Sequence, residues 1–305
     1  MSHADAILVG VDGSASSLHA LDWATAQAAR SGQPVTVVCT YSLPSFAAAS
    51  LDGGYAALDD SAIQEGARAV LDDAKERASR AGVEVTTLIA TGDAAGVLVQ
   101  MSKDFSLAVV GTRGRGGFAE RLLGTVSSAL PAHAHCPTVV VPFRGDDGGD
   151  GAVEIHPLRR IVVGVDGSPS AYGALHLAIK QAQLWDAELV AVAGVPVGSG
   201  AGLLAWLPAA IDHEQVLSDV TDGLNAIVDK AEAANAGVKI RRIVLDGTGA
   251  ELLTEFSNAS DLLVVGSRGR GGFAGLLLGS TSQAVLHHSK CPVLVVNKRC
   301  ETPTE

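Results

Sequence analysis

The sequence predicts an α/β protein that contains two copies of one doubly wound domain. Short apolar runs alternate with longer segments that carry apolar residues at helical spacing, which is the pattern of a parallel sheet with helices on both faces. The segment ILVGVDGSASSLHALDWA at 7–24 returns as IVVGVDGSPSAYGALHLA at 161–178. Because the offset stays at 154 or 155 residues throughout, the halves are colinear copies and not the short units of a solenoid.

Each copy is expected to alternate strands and helices along its length. In the first copy, apolar runs that end in turn residues predict strands at 6–12, 34–41, 83–90, 105–111 and 137–142. Amphipathic spacing predicts helices at 15–31, 59–80, 94–103 and 125–134. The second copy predicts strands near 161–166, 188–195, 238–245, 261–266 and 292–297.

A polar segment separates the copies. Residues 144–157, RGDDGGDGAVEIHP, are acidic and rich in glycine, as linkers often are. We therefore place the first domain at 1–145, the linker at 146–157 and the second domain at 158–298. A chain of 305 residues suits two domains of ordinary size.

Composition excludes several classes of function. The chain is 47% hydrophobic and 18% charged, which is typical of a folded globular protein. Its net charge of −11 disfavours nucleic acid and anionic membranes as partners. We expect no signal peptide and no membrane-inserted segment, because no apolar run approaches the roughly 20 residues that span a bilayer. Four scattered cysteines without a CxxC pair favour a reduced, cytoplasmic setting.

A glycine-dense segment follows the fourth strand of each copy. It reads GTRGRGGFAERLLGT at 111–125 and GSRGRGGFAGLLLGS at 266–280. Neither segment contains a lysine, which excludes a Walker A loop. A GxGxxG dinucleotide motif belongs in the first strand-to-helix turn, which here reads GVDGS. The remaining pattern is G-x2-G-x9-G followed by Ser or Thr, and it occurs twice.

This pattern suits a phosphate group. The loop leaves the carboxyl end of a buried strand, where open α/β sheets bind ligands. Glycines let a phosphate approach backbone N–H groups, and a helix start adds free donors with a partial positive charge. We expect a side chain at Gly111 or Gly266 to intrude on the phosphate. The alternative is a surface loop whose last glycine only allows close helix packing, and the double occurrence disfavours it.

These motifs together resemble the universal stress protein family. The order VGVDGS, VVGSRGRGGF, LLLGS and CPVLVV carries the resemblance, and the glycine spacing marks the nucleotide-binding branch of that family. The resemblance spans both copies, as in a tandem member. It implies Rossmann-like (adenine nucleotide alpha hydrolase-like) domains, each with a five-stranded parallel sheet of order 3-2-1-4-5. That order places the turn after strand 1 beside the glycine loop.

The resemblance also implies a ligand and a site in each domain. The ligand is ATP, with Mg²⁺ as an optional companion of the triphosphate, and the base is expected near Thr40 and Gly194. The implied residues of the first domain are Gly10, Asp12, Gly111, Thr112, Arg113, Gly114, Arg115, Gly116, Gly117, Gly124, Thr125 and Val126. Those of the second are Gly164, Asp166, Gly266, Ser267, Arg268, Gly269, Arg270, Gly271, Gly272, Gly279, Ser280 and Thr281. No catalytic residue and no protein metal ligand is among them.

Some features leave alternatives open. Asp12 fits a nucleotide contact and, about equally well, an Asx-turn in the sequence DGS. The second copy has DGTGAE where the first has TGDAAG, so it lacks an acid at the position of Asp93. The loops after the second strands are long and unlike each other, which predicts unequal affinities at the two sites.

Other residues have simpler interpretations. The residues His133, His135, Cys136, His287, His288 and Cys291 match no zinc spacing, and we assign the histidines to helix ends. The fifth strands would leave apolar sheet edges uncovered. We therefore expect the two domains to pair through 139–141 and 294–296, and a homodimer stays open.

The leading hypothesis is a nucleotide-binding regulator of the stress response, with ATP in each domain controlling a conformation or an unknown downstream partner. The alternative is a slow ATPase or phosphotransferase, although the loops show no obvious general base and no Walker lysine. A pure interaction module is the third reading. AMP and cyclic nucleotides stay open as working ligands.

Overall fold

The computed structural model describes residues 5–42, 60–114, 123–143, 155–196, 213–270 and 278–300. The chain divides into two compact units, Met1–Ile155 and His156–Glu305. Both units are α/β structures with parallel strands, so the predicted fold class is confirmed. Much of the predicted linker at 146–157 lies outside the described residues, and the predicted domain boundaries remain a prediction.

The first unit alternates strands and helices as expected. Its strands are β1 (Ile7–Gly10), β2 (Val35–Tyr41), β3 (Val85–Thr91), β4 (Leu107–Gly111) and β5 (Thr138–Val141). Its helices are α1 (Ala15–Ser31), α2 (Asp60–Ser79), α3 (Ala94–Met101) and α4 (Thr125–His133). Parallel pairing joins β1 to β2 and β4, β2 to β3, and β4 to β5. These pairs run in the order that the family resemblance implies.

The second unit repeats the arrangement. Its strands are β6 (Arg160–Gly164), β7 (Glu188–Val195), β8 (Ile240–Asp246), β9 (Leu262–Gly266) and β10 (Val293–Val296). Its helices are α5 (Pro169–Trp185), α6 (His213–Ala234), α7 (Gly249–Phe256) and α8 (Ser280–His288). β6 pairs with β7 and β9, β7 with β8, and β9 with β10, all in parallel.

The central strands form the core of each unit. Along β1, β4, β6 and β9 nearly every residue before the last glycine is buried, as expected for strands covered by helices on both faces. The outer strands β3 and β8 are half-exposed, and each presents a leucine to solvent, Leu88 and Leu245. The glycines that end the central strands therefore emerge from the middle of the sheet.

Helix caps explain why the turns after the strands hold their shape. Ser14 caps α1 by accepting a hydrogen bond from the Ser17 N–H, and Ser168 caps α5 in the same way. Gly32 ends α1 in the left-handed conformation, with φ of 74°. The turn after β1 and β6 thus feeds directly into a capped helix.

The sequence difference between TGDAAG and DGTGAE is a change of helix cap. Asp93 caps α3, since its carboxylate accepts from the Gly96 N–H at 2.8 Å. Thr248 caps α7 and forms a capping box with Glu251. The second unit therefore keeps the capping interaction without the acid.

Two predicted boundaries differ from the structure. The helix predicted at 94–103 is helical to Met101 and continues as a short 3-10 turn at Ser102–Asp104. The strand predicted at 6–12 is shorter: β1 ends at Gly10, the Val11 N–H still donates to the Val38 carbonyl at 2.9 Å, and the chain then turns at Asp12 into the cap of α1. In the parts of the chain that the structure describes, no helix combines the length and the apolar character needed to cross a bilayer.

Candidate functional site

A cleft of about 360 Å³ lies at the carboxyl ends of β1 and β4 in the first unit. The glycine loop and the start of α4 meet the turn after β1 there, as the predicted topology requires. Nine predicted site residues line it: Gly10, Asp12, Gly111, Thr112, Arg113, Gly114, Gly124, Thr125 and Val126. Thr40, which was expected near the base, lines the same cleft.

Asp12 forms the Asx-turn that was one of its two interpretations. Its Oδ1 accepts hydrogen bonds from the N–H and the hydroxyl of Ser14, at 3.0 and 2.6 Å. Its Oδ2 points to Gly114, where an added Cβ would clash with this carboxylate. Asp12 therefore shapes the turn and meets the glycine loop at the same time, and Gly114 is the residue that permits the close approach.

The loop is tied to the start of α4 by backbone and hydroxyl hydrogen bonds. The Gly124 N–H donates to the Thr112 carbonyl at 2.8 Å and to Ser127 Oγ at 2.9 Å. Ser127 Oγ also donates to the Thr112 carbonyl. Gly124 has no side chain with which to cap the helix, and no acid occurs in its first turn. The N-terminus of α4 thus keeps its positive end directed at the cleft rim.

Gly111 and Gly266 have a packing role that we did not expect. A Cβ at Gly111 would lie 2.5 Å from the carbonyl oxygen of Ser16 in α1. A Cβ at Gly266 would lie 2.8 Å from the carbonyl of Ser170 in α5. A side chain at either position would meet the backbone of the first helix, although both glycines also line their clefts. These glycines let the strand pack against the first helix of its unit.

The second unit has a larger cleft at the equivalent place, of about 750 Å³. Nine predicted site residues line it: Gly164, Asp166, Gly266, Arg268, Gly269, Arg270, Gly279, Ser280 and Thr281. Gly194, expected near the base, also lines it. Ser267 does not line the cleft. Its side chain is buried, its N–H donates to the Val296 carbonyl, and its carbonyl accepts from the Gly279 N–H.

The polar residues of the second cleft repeat those described in the first, and Arg270 lines the second cleft in addition to Arg268, the counterpart of Arg113. Asp166 accepts from the Ser168 N–H at 2.9 Å through Oδ1 and from the Arg270 N–H at 3.0 Å through Oδ2. The guanidinium of Arg270 lies against Gly167 in the turn after β6. Arg268 Nε is buried and has no hydrogen-bond partner within the described residues. A buried guanidinium N–H without a partner favours an anion nearby.

Five predicted site residues fall outside the described parts of the chain. They are Arg115, Gly116, Gly117, Gly271 and Gly272. The structure therefore places the beginning of each glycine loop, 111–114 and 266–270, and the helix start after it.

The sequence did not identify one wall of the second cleft. Val216, Val220, Leu224 and Ile227 of α6 line it, together with Gly223 and Asp219. Their spacing of three and four residues is visible in the sequence. The same spacing describes any helix stripe that packs on a core, so it carried no signal of a cleft.

The histidines and cysteines lie where the sequence placed them, near helix ends. His133 is in the last turn of α4, and His287 and His288 are in the last turn of α8. Burial lowers the pKa of His287, and the neighbouring His288 lowers it further. Burial raises the pKa of the Cys291 thiol. Among the described residues, no group of three or more His, Cys, Asp or Glu side chains is placed to hold a metal ion.

Comparison with known proteins gives matches along both units. The model of the Universal stress protein family matches residues 3–142 and 157–297. Universal stress protein Rv2623 of Mycobacterium tuberculosis (strain H37Rv) is 35% identical over 303 residues, which cover 96% of each chain. Universal stress protein Rv2005c of the same strain is 31% identical over 301 residues, which cover 96% of this chain and 97% of that one.

Solved structures agree on the fold. A universal stress protein from Archaeoglobus fulgidus superposes with a TM-score of 0.69 at 20% identity, over 97% of this chain and 99% of that chain. A universal stress protein in complex with cAMP is 30% identical, covers 46% of this chain and 98% of its own, and has a TM-score of 0.36.

Proposed function

Because the chain belongs to the universal stress protein family, we propose that it is an ATP-binding regulatory protein with one nucleotide site in each unit. One observation carries the proposal. In each unit, residues from the turn after the first strand, the glycine loop and the following helix start line a single cleft. Parts of these three segments are far apart in sequence, and the equivalent segments line one cleft in both units.

The phosphate end of each site is the glycine loop with the helix start. Gly124 and Gly279 leave the first turns of α4 and α8 without a side-chain cap, so N–H groups there are available to an anion. Neither first turn contains an acid. Arg113 in the first unit, and Arg268 and Arg270 in the second, supply positive charge beside the loop.

The carboxylates of Asp12 and Asp166 fit a magnesium-bound triphosphate better than a bare one. Each lies against the glycine loop, where a bare polyphosphate would be repelled. Mg²⁺ binds through one or two carboxylates together with phosphate oxygens, and it would offset that repulsion. Both carboxylates already accept backbone N–H bonds within their own turns, which makes them unlike free general bases. This supports binding and regulation over rapid hydrolysis.

Ligand binding in a cleft would affect the rest of its unit through hydrogen bonds. A ligand on the glycine loop would contact segments joined to α1 or α5 through hydroxyl hydrogen bonds. Ser170 Oγ donates to the Arg268 carbonyl, and the Arg113 N–H donates to Ser16 Oγ at 3.3 Å. Nucleotide binding would therefore stabilise the loop and the first helix together, which is a change that a partner protein can recognise.

Two measurements test the proposal. Purified full-length protein is denatured, and released nucleotides are identified by mass spectrometry. The nucleotide-free chain is then titrated calorimetrically with ATP, AMP and cAMP, with and without Mg²⁺. We expect ATP to bind at two sites per chain and to bind more tightly with Mg²⁺. Absence of binding heat with all three nucleotides refutes the proposal, and rapid phosphate release from ATP would favour the enzyme alternative.

A further inference from the structure

The second cleft continues past the phosphate end into an apolar space. Val216, Val220, Leu224 and Ile227 present one face of α6 to the same cavity that contains Gly269 and Ser280. Three of these side chains are half-buried and Leu224 is buried. The three half-buried side chains remain partly accessible to water. A ligand that covered them would bury apolar surface, which favours binding.

The described part of the first unit shows no such extension of its cleft. Among the described residues, none of α2 lines the first cleft, whose volume is about half that of the second. Tyr41 at the end of β2 explains part of the difference, because its hydroxyl accepts a hydrogen bond from Gln64 of α2 at 3.0 Å. This contact bridges the strand and the helix in the first unit.

The strand register shows what stands at the same place in the second unit. Val38 pairs with Gly10 and Val192 pairs with Gly164, so Tyr41 and Val195 are each three residues further along their strands. Val195 has no hydroxyl group, so it cannot form the hydrogen bond to the helix that Tyr41 forms in the first unit. The residues before them differ as well, since Thr40 presents a side chain and Gly194 presents only backbone.

We infer that the second cleft is selective for a nucleotide that carries an apolar group at the end remote from its phosphates, whereas the first cleft takes the unsubstituted nucleotide. The inference rests on the proposed function, because the glycine loop must hold the phosphates for the far end to face α6. The apolar group lies along Val216, Val220 and Ile227 and replaces water there.

The experiment uses the full-length, nucleotide-free chain and two probes. One is ATP, and the other is an ATP analogue with a benzyl group on its exocyclic amine, called benzyl-ATP below. Calorimetry is expected to give two sites per chain for ATP and one for benzyl-ATP. At that one site, benzyl-ATP should bind at least about tenfold more tightly than ATP, because the benzyl group buries apolar area.

Three variants connect the result to the residues. Val220→Asp should reduce the preference for benzyl-ATP over ATP at least about fivefold, since a charge faces the apolar group. Leu217→Asp is the matched control on the same helix, because Leu217 is half-buried without lining the cleft, and it should keep the preference. Tyr41→Val should open the first cleft and raise the number of benzyl-ATP sites from one to two.

The outcomes separate this inference from the proposed function. If neither ATP nor benzyl-ATP binds, the proposed function is wrong and the inference is wrong with it. If ATP binds at two sites while benzyl-ATP binds at none, or equally at both in the unmodified chain, the selectivity is wrong and the proposed function stands. Equal effects of Val220→Asp and Leu217→Asp would also overturn the assignment to α6.

Discussion

The two units differ most in how the helix after the second strand is held. In the first unit, α2 is joined to α1 by a two-pronged ion pair between Arg77 and Asp22, at 2.6 Å for each prong. In the second unit, α6 is joined to strand β8, because Arg242 meets Asp229 and Glu232 at 2.6 and 3.1 Å. The glycine-loop sides of the two clefts are alike. The two units therefore differ at the opposite side, where α6 lines the second cleft.

A further polar contact strengthens this contrast. His213 at the start of α6 meets Asp246 at the end of β8, with Nε2 and Oδ1 at 2.9 Å. Both side chains are about half exposed, so the pair contributes little stability. It does show that both ends of α6 are directed to the outer strand of the sheet.

The largest expected effect comes from removing the buried ion pair of the first unit. Asp22 and Arg77 are only 8% and 11% exposed. Asp22→Ala leaves the guanidinium buried without its carboxylate, which costs about 3 kcal/mol. For a unit of this size we expect a fall of about 6–12 °C in the unfolding temperature of the first unit, measured by calorimetry.

The matched variant is Arg242→Ala in the second unit. Arg242 is 29% exposed and Asp229 is 65% exposed, so its loss should cost about 1 kcal/mol or less. Equal losses from Asp22→Ala and Arg242→Ala would contradict the difference in helix anchoring.

The next effect concerns the glycines that end the fourth strands. Gly111→Ala should destabilise the first unit by about 2 kcal/mol, because the new Cβ meets helix backbone that cannot move freely. Gly124→Ala is its control, since a Cβ there has no neighbour nearer than 3.5 Å and φ is −83°. That variant should stay within about 0.5 kcal/mol of the parent in thermal unfolding. If Gly111→Ala is as stable as Gly124→Ala, the packing role of Gly111 is wrong.

The smallest expected effect is a pH dependence of the second unit. Burial lowers the pKa of His176, and Lys180 lowers it further; burial likewise lowers the pKa of His287. In the unfolded chain these imidazoles have a pKa of about 6.5. As the pH falls, the unfolded chain therefore takes up these protons before the folded chain does. The stability of the second unit is therefore complete above about pH 6.5 and decreases as the pH falls below it.

The decrease is limited to a few tenths of a kcal/mol because both imidazoles are largely exposed. Thermal unfolding at pH 7 and pH 5.5 measures it. The double variant His176→Gln, His287→Gln should show a smaller shift of the second-unit transition than the parent does. An identical shift in both proteins would assign the dependence to other groups.

The sequence was sufficient to predict the fold and the meeting of the predicted site segments in one cleft. Short apolar runs located the strands, helical spacing located the helices, and the repeat gave the second unit from the first. Gly10, Asp12 and the helix start at Thr125 were brought to one cleft because β1 and β4 are neighbours in the sheet. Local motifs, together with the strand order that the family resemblance implies, predicted that arrangement.

The rest depended on contacts that no local pattern encodes. Gly111 was expected to make room for a ligand, which remains a prediction, and the structure shows that it also makes room for Ser16, which is 95 residues away in sequence. The lining stripe of α6 has the spacing of an ordinary packing face. The expected pairing of the units through 139–141 and 294–296, and a homodimer, remain predictions.

The central claim is that each glycine loop with its helix start is a phosphate site, and charge reversal at the helix starts tests it most directly. Thr125→Glu and Ser280→Glu add an acid to a first helical turn, which favours the helix and repels a phosphate. Thr125→Gln is the neutral control of the same size. In calorimetric titrations with Mg-ATP, the account predicts two sites in the parent and in Thr125→Gln, one in each single Glu variant and none in the double Glu variant. Two sites in a folded double Glu variant would contradict it.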